Sequence, residues 1–263
     1  MNFEIDFKNI KIHYSISGIG SRTIVWLHGF MEDLSIWDAQ LLSLNESCVN
    51  ICIDLLGHGK TGVADRESSM EMQAEVVMFV IDYLKIRNFS IIGHSMGGYV
   101  GLSVLDKHSS RIDSFILLNS TCCSDTLKKK ESRMRATKIV ARQKESFIRM
   151  GVVNSFSKKS RERLAVEIEE LIGVAKLTSA KAIVAALLGM MNRVCKSDIL
   201  KKYKGPKLII AGEKDPILSV SDSRIEAKIV EASFVILPGG HMSYLESSIK
   251  LIEVIKSFIF IKQ

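Results

Sequence analysis

The sequence predicts an α/β fold: a mostly parallel, eight-stranded sheet flanked by helices, with one helical segment inserted between strands. Three observations carry this. Short continuous apolar runs at 23–27, 49–55, 89–92, 115–118, 207–211 and 233–237 read as strands buried on both faces, the signature of a parallel sheet. One of them, 89–92, becomes a helical stretch at 96–107 across the bend Gly93-His94-Ser95-Met96-Gly97. Residues 125–204 contain no strand-like run, only amphipathic helical stretches at 127–150, 159–174 and 179–194. The expected division is therefore an α/β core of residues 1–124 and 205–263, with residues 125–204 as a helical cap.

The elements follow in order. Residues 3–7 and 11–17 alternate apolar and polar side chains, as half-exposed strands joined at Lys8-Asn9. Gly18-Ile19-Gly20 is a turn; it lacks the third glycine and the helix of a dinucleotide fingerprint. Strand 23–27 ends in His28-Gly29-Phe30, after which Asp33 or Ser35 caps a short helix over 36–44. Strand 49–55 runs into Gly57-His58-Gly59-Lys60-Thr61, which imitates a phosphate-binding loop. The first glycine of that motif would fall on Asp54, and the next helix starts only near Ser68-Ser69, so no nucleotide site is expected. Helix 70–86 carries an apolar stripe of Val76, Val77, Val80 and Leu84. After the inserted segment, Pro206 restarts the sheet. Strand 207–211, helix 221–230, strand 233–237 and an amphipathic helix over 247–261 complete the core.

With 263 residues, 47% of them hydrophobic, the chain is long enough for one large domain with a full core. The first residues show no basic region leading into an apolar stretch, so neither a signal peptide nor membrane insertion is expected, and a cytoplasmic location is. Five cysteines without C-x-x-C spacing fit reduced thiols, and the adjacent Cys122 and Cys123 read as small loop residues. The net charge of +7 is uneven: residues 125–204 hold 20 Lys/Arg against 8 Asp/Glu, a net of +12, leaving −5 elsewhere. The basic residues are dispersed among glutamates with few aromatics, which describes a solvated helical face and gives no nucleic-acid partner. Histidine spacing matches no metal motif, so neither metal nor cofactor is expected. Oligomeric state stays open, a homodimer included.

The bend at Ser95 is the chemical centre. A strand that becomes a helix within so few residues needs a sharp, strained turn, and Gly93 and Gly97 leave room for it. The serine hydroxyl is then pushed out towards the free N–H groups of the new helix. A hydroxyl needs a base, and the base needs an acid to hold its tautomer. Asp215 and His241 each follow a predicted parallel strand, so both emerge at the carboxyl edge of the sheet, with Ser95. The order Ser…Asp…His suits this sheet type. Asp54 competes as the acid, but it follows the strand before the bend. His28, His58 and His94 compete as the base; His28 and His58 read as loop organisers, and His94 projects away from the apex of the bend.

Over nearly its whole length the chain resembles the α/β-hydrolase superfamily. The matching pieces are His28-Gly29-Phe30, Asp54-Leu55-Leu56-Gly57-His58-Gly59, Gly93-His94-Ser95-Met96-Gly97-Gly98, Gly212-Glu213-Lys214-Asp215 and Gly240-His241. Gly93–Val100 and Asn119-Ser120-Thr121 are similar to small bacterial esterase-like members. The resemblance implies Ser95 as nucleophile, Asp215 as acid, His241 as base, and the backbone N–H groups of Phe30 and Met96 as an oxyanion hole. One departure is the missing proline soon after Glu246. The implied activity is hydrolysis of carboxylic esters of small or medium acyl chains, with a small-molecule ester-like substrate as partner. Thioester hydrolysis, carbon–carbon hydrolysis or lyase chemistry on an anionic substrate stay open. So does a ligand-binding signalling protein with slow turnover. Among the cap arginines Arg133, Arg135, Arg142 and Arg149, one facing inward would clamp a carboxylate. The cap methionines Met134, Met150, Met190 and Met191 read as packing residues that suit an adaptable pocket.

Overall fold

A computed structural model describes residues 1–63 and 68–260 of the chain. β1 (Asn2–Phe7) and β2 (Ile10–Ser17) form an antiparallel hairpin. Lys8 and Asn9 make its turn at φ 49° and 66°, the left-handed pair that matches strand twist. β3 (Arg22–Leu27) leads through a short 3-10 turn, Leu34–Trp37, into α1 (Asp38–Leu44). Of the two expected caps, Asp33 serves: its carboxylate accepts from the Ser35 N–H at 2.9 Å. β4 (Cys48–Ile53), α2 (Met70–Tyr83), β5 (Phe89–His94), α3 (Met96–His108) and β6 (Ile112–Leu118) follow.

Between β6 and the next strand lie α4 (Leu127–Ser155), α5 (Ser160–Arg163), α6 (Ala165–Leu177), α7 (Ala180–Asn192) and α8 (Ser197–Lys202). Then come β7 (Lys207–Gly212), α9 (Val220–Val230), β8 (Ser233–Leu237), α10 (Ser243–Glu246) and α11 (Ser248–Ile259). The expected end of the last helix, Ile261, lies outside the described residues.

The sheet has eight strands in the order β1-β2-β4-β3-β5-β6-β7-β8; β3 to β8 are parallel and β2 pairs antiparallel with both its neighbours. This is the predicted sheet. Its central strands are buried on both faces: every residue of β5 is buried, as are Val25, Trp26 and Leu27 of β3. That is why these strands read as unbroken apolar runs.

Where sequence and structure differ, tertiary contacts decide. The expected helix 127–150 runs to Ser155, with a break at Gln143 (φ −144°, ψ 53°). The stretch 159–174 is two helices, split at Leu164, which is itself buried. The short helix α8 has no sequence period long enough to see, and it forms by docking on α3 and α9. The closing helix begins as the separate turn α10, because the Glu246 carboxylate accepts from the N–H groups of Met242 (3.3 Å) and Ser157 (3.2 Å). Among the described residues, no single helix is long and apolar enough to cross a membrane.

Candidate active site

Ser95 sits between β5 and α3 at φ 49° and ψ −113°, a conformation that costs a non-glycine residue roughly 1–3 kcal/mol. Its neighbours make the bend sterically possible. A Cβ at Gly93 would lie 2.6 Å from the backbone of Gly97 and Gly98, and one at Gly97 would strike the carbonyl oxygens of Leu27 and His28. The strained unit is pinned on both sides: Ser95 N–H donates to the Leu118 oxygen at 3.0 Å, and the Ser120 hydroxyl donates to the Ser95 oxygen at 2.7 Å.

The structure brings Ser95, Asp215 and His241 together. His241 Nε2 is 2.9 Å from Ser95 Oγ, and His241 Nδ1 is 2.8 Å from Asp215 Oδ2. Asp215 occupies the turn after β7, where its Oδ1 accepts from the N–H groups of Ile217 (2.8 Å) and Leu218 (3.0 Å). Burial pushes this carboxyl's pKa up, but His241 and those two amides outweigh it, so Asp215 titrates below its ordinary value and stays ionised. An ionised carboxylate only accepts, so Nδ1 carries the proton and Nε2 is left to accept from the serine hydroxyl. Asn119 Nδ2 donates to the same Asp215 oxygen at 3.1 Å and to the Gly240 carbonyl at 3.2 Å, tying the turn of Asp215 to the loop of His241. The backbone N–H groups of Phe30 and Met96 have no acceptor among the described residues; Met96 opens α3, where helical N–H groups are free.

The other candidates are engaged elsewhere. Asp54 meets His13 Nδ1 at 2.6 Å and accepts from the N–H groups of Leu34 and Lys60, so it braces two loops. His28 Nε2 accepts from the Leu55 N–H at 2.9 Å, and His58 Nδ1 donates to the Leu56 oxygen at 3.0 Å. His58 is fully buried, which lowers its pKa to about 4 and keeps it neutral. His94 does not reach Ser95 Oγ, but it is more than a bystander. Its Nδ1 faces Glu32 Oε2 at 2.9 Å, and its Nε2 donates to the His241 backbone oxygen at 3.0 Å.

Glu32 is the residue that sequence reasoning missed. Its buried carboxylate accepts from Gly29 N–H (2.5 Å) in the loop after β3, from His94 in the bend, and from the Tyr244 hydroxyl (3.0 Å) behind His241. One side chain thus joins the three loops that carry Phe30, Ser95 and His241. Only its place four residues after His28 hinted at this, and that spacing carries no motif.

Above Ser95 and His241 is a cavity of about 170 Å³ with apolar walls, among them Phe30, Phe147, Val152, Leu171 and Met190. Of Arg133, Arg135, Arg142 and Arg149, Arg133 alone lines it. Arg135 and Arg149 pair on the surface with Glu131 and Glu169, and Arg142 is exposed. Met190 also lines the cavity, Met134 and Met150 are exposed, and Met191 is half-buried. Cys122, Cys123 and Glu226 form a potential ligand cluster within 4.8 Å, and Glu226 already accepts from the Cys122 N–H and the Thr121 hydroxyl.

A strained serine at the carboxyl edge of a mostly parallel sheet, in hydrogen-bonding file with a histidine and an aspartate, is the mark of the α/β-hydrolase class. The chain belongs to the alpha/beta hydrolase fold family, whose family model matches residues 22–248. It is 27% identical over 252 residues to the dihydrolipoyllysine-residue acetyltransferase component of the acetoin cleaving system of Pseudomonas putida. That match covers 94% of this chain and 65% of the relative, so the chain spans less than two thirds of that protein's length. It is 26% identical to a putative 2-succinyl-6-hydroxy-2,4-cyclohexadiene-1-carboxylate synthase of Bacillus subtilis, covering 94% of this chain and 95% of the relative. Among solved structures, a thermophilic esterase from Thermogutta terrifontis with malate bound superimposes with a TM-score of 0.92. It is 24% identical and covers 98% of both chains, a likeness of fold.

Proposed function

We propose that this protein is a serine hydrolase that cleaves carboxylic esters of small or medium acyl chains through an acyl-enzyme. The observation that supports this most is the unbroken hydrogen-bonded file from Asp215 through His241 to Ser95. Ser95 Oγ attacks the carbonyl carbon while His241 Nε2 takes its proton. The oxygen that gains charge turns towards the N–H groups of Phe30 and Met96, where one such donor is typically worth ~3–4 kcal/mol. His241 then protonates the leaving alkoxide as the carbon–oxygen bond breaks. Water, deprotonated by His241, attacks the acyl carbon, and Ser95 regains its proton as the acid leaves. Asp215 keeps the imidazole in the needed tautomer throughout.

Residues 125–204 serve as the cap in this reading. α4 contributes Phe147 and Val152 to the cavity wall, α6 contributes Leu171 and α7 contributes Met190. The similarity to an esterase fold agrees with ester cleavage. A second reading is thioester or carbon–carbon chemistry on an anionic substrate with the same three residues. The Arg133 guanidinium in the cavity wall favours it, as does similarity to a carboxylate-handling synthase.

A fluorophosphonate probe tests the proposal, followed by a panel of methyl and aryl esters. Labelling of Ser95 in the wild type, its loss in S95A, and steady turnover are expected. A single burst without turnover would favour a slow ligand-binding protein. A folded wild type that neither labels nor turns over any ester would overturn the reading.

A further inference from the structure

We propose that Arg133, backed by Lys129, is an anion subsite for the Ser95 cavity, and that the substrates served best carry a carboxylate on the acyl chain, away from the scissile carbonyl. The inference rests on the reading of Ser95 as nucleophile and deepens it.

Lys129 and Arg133 stand one turn apart near the start of α4, and so project from one side of the helix. Arg133 lines the cavity that holds Ser95 and His241, whose walls are mostly apolar and include the Met190 thioether. Its Nε donates to Asp125 Oδ2 at 2.5 Å, and its Nη1 approaches Met190 Sδ at 3.4 Å. Its Nη2 has no partner among the described residues. The guanidinium is thus held by one edge and open at the other, the geometry needed to grip a second carboxylate.

Charge balance points the same way. Asp125 is shared: Arg193 Nη1 lies 2.8 Å from its other oxygen. Arg193 is otherwise engaged through both terminal nitrogens, stacked 3.9 Å over the Tyr99 ring and donating to the carbonyl oxygens of Met190 and Cys123. Two guanidiniums therefore divide one buried carboxylate. Lys129 adds a third cation in the adjoining pocket, its ammonium without a hydrogen bond or ion pair among the described residues. Burial and the nearby Arg133 lower its pKa, outweighing the opposing pull of Asp125 and Asp215. A structural pin between α4 and α7 would need one arginine for one aspartate. The open edge of the Arg133 guanidinium in a mostly apolar cavity is costly until an anion enters. The other carboxylate in the wall, Glu32, is saturated by Gly29, His94 and Tyr244 and does not offset it. The cavity's modest size suits an acyl chain of a few carbons.

The test compares monomethyl esters of straight-chain C4 to C8 diacids with methyl alkanoates of equal length, in wild type, R133Q and K129Q. K129Q leaves the Arg133–Asp125 pair intact, and thermal melts check folding of both variants. Calorimetric binding of the same monoesters to S95A and S95A/R133Q gives a readout free of turnover. The wild type should favour one carboxylated ester over its neutral partner in kcat/KM. R133Q should reduce that ratio about 10- to 100-fold, the range of a charged hydrogen bond, and K129Q should reduce it in the same direction. S95A/R133Q should bind the monoester correspondingly more weakly than S95A. No wild-type preference, or an R133Q variant that slows both esters equally, overturns the subsite. Arg133-dependent binding to S95A without any turnover or probe labelling would instead sink the hydrolase reading and leave the subsite standing.

Discussion

His94 donates from Nε2 to the backbone oxygen of His241 at 3.0 Å, while its Nδ1 lies 2.9 Å from Glu32. A ring that donates from both nitrogens is an imidazolium. Burial opposes its charge, but Glu32 and the His241 carbonyl outweigh burial, so the His94 pKa is raised. In the same way burial pushes Glu32 up, and His94, His28 and the Gly29 amide bring it below its ordinary value. The pair is a charged strut behind the site, and it holds His241 through its backbone.

The strut has a defined pH window. Glu32, with a lowered folded pKa, contributes stability that is fully present above its ordinary value of 4.5 and is lost as pH falls through the folded value. His94, with a raised folded pKa, contributes stability that is fully present below 6.5 and is lost as pH rises through the folded value. Denaturant unfolding should therefore show the gap between wild type and H94Q widest between pH 4.5 and 6.5 and narrowing by pH 9. An equal gap at pH 6 and pH 9 would reject a charged pair. E32A, which strands His94, should cost about 3–5 kcal/mol at pH 6.

Substitutions along the file should separate by role. S95A is expected to lower kcat by roughly a millionfold. D215N, which inverts the hydrogen bond to Nδ1 and with it the tautomer, is expected to lower it by about ten-thousandfold. N119A removes one hydrogen bond to Asp215 and should cost about tenfold in kcat with KM little changed. Stopped-flow and steady-state kinetics on one ester settle the order. A D215N variant near wild-type rate would remove Asp215 from the assignment.

Two glycines should answer oppositely to the same change. G97A forces a methyl group against the carbonyl oxygens of Leu27 and His28, displacing the strand that leads to Phe30. It should lose about 1–3 kcal/mol of stability and most turnover. G173A, in α6 with no atom within 4 Å of the new Cβ, should gain about 0.5–1 kcal/mol. Melting curves of the two variants check both signs.

Cys123 should be the reactive thiol. A hydrogen bond from Cys122 is the main cause that lowers its pKa to about 6, with Thr121 and Cys195 adding to it. It is exposed, so iodoacetamide at pH 7 should modify it before the other cysteines, with a rate that falls below pH 6. Peptide mass spectrometry reads the order; preferential labelling of the exposed Cys195 would contradict it.

The eight strands, the bend at Ser95 and the loops bearing Asp215 and His241 were legible in the chain, because each is written locally. A buried strand needs a run of apolar residues, a strand-to-helix bend needs small neighbours, and a loop is marked by what flanks it. Glu32 and Arg133 were not legible as they stand in the fold. Glu32 gains its place from Gly29, His94 and Tyr244, and the last lies 212 residues away. Arg133 was one of four equivalent arginines in the inserted helices until α4 broke at Gln143 and α7 laid Met190 against it. The sequence by itself determined which groups stand at the sheet edge. Only the tertiary structure decided which buried charges meet there, because charge pairing depends on distances between segments that share no local period.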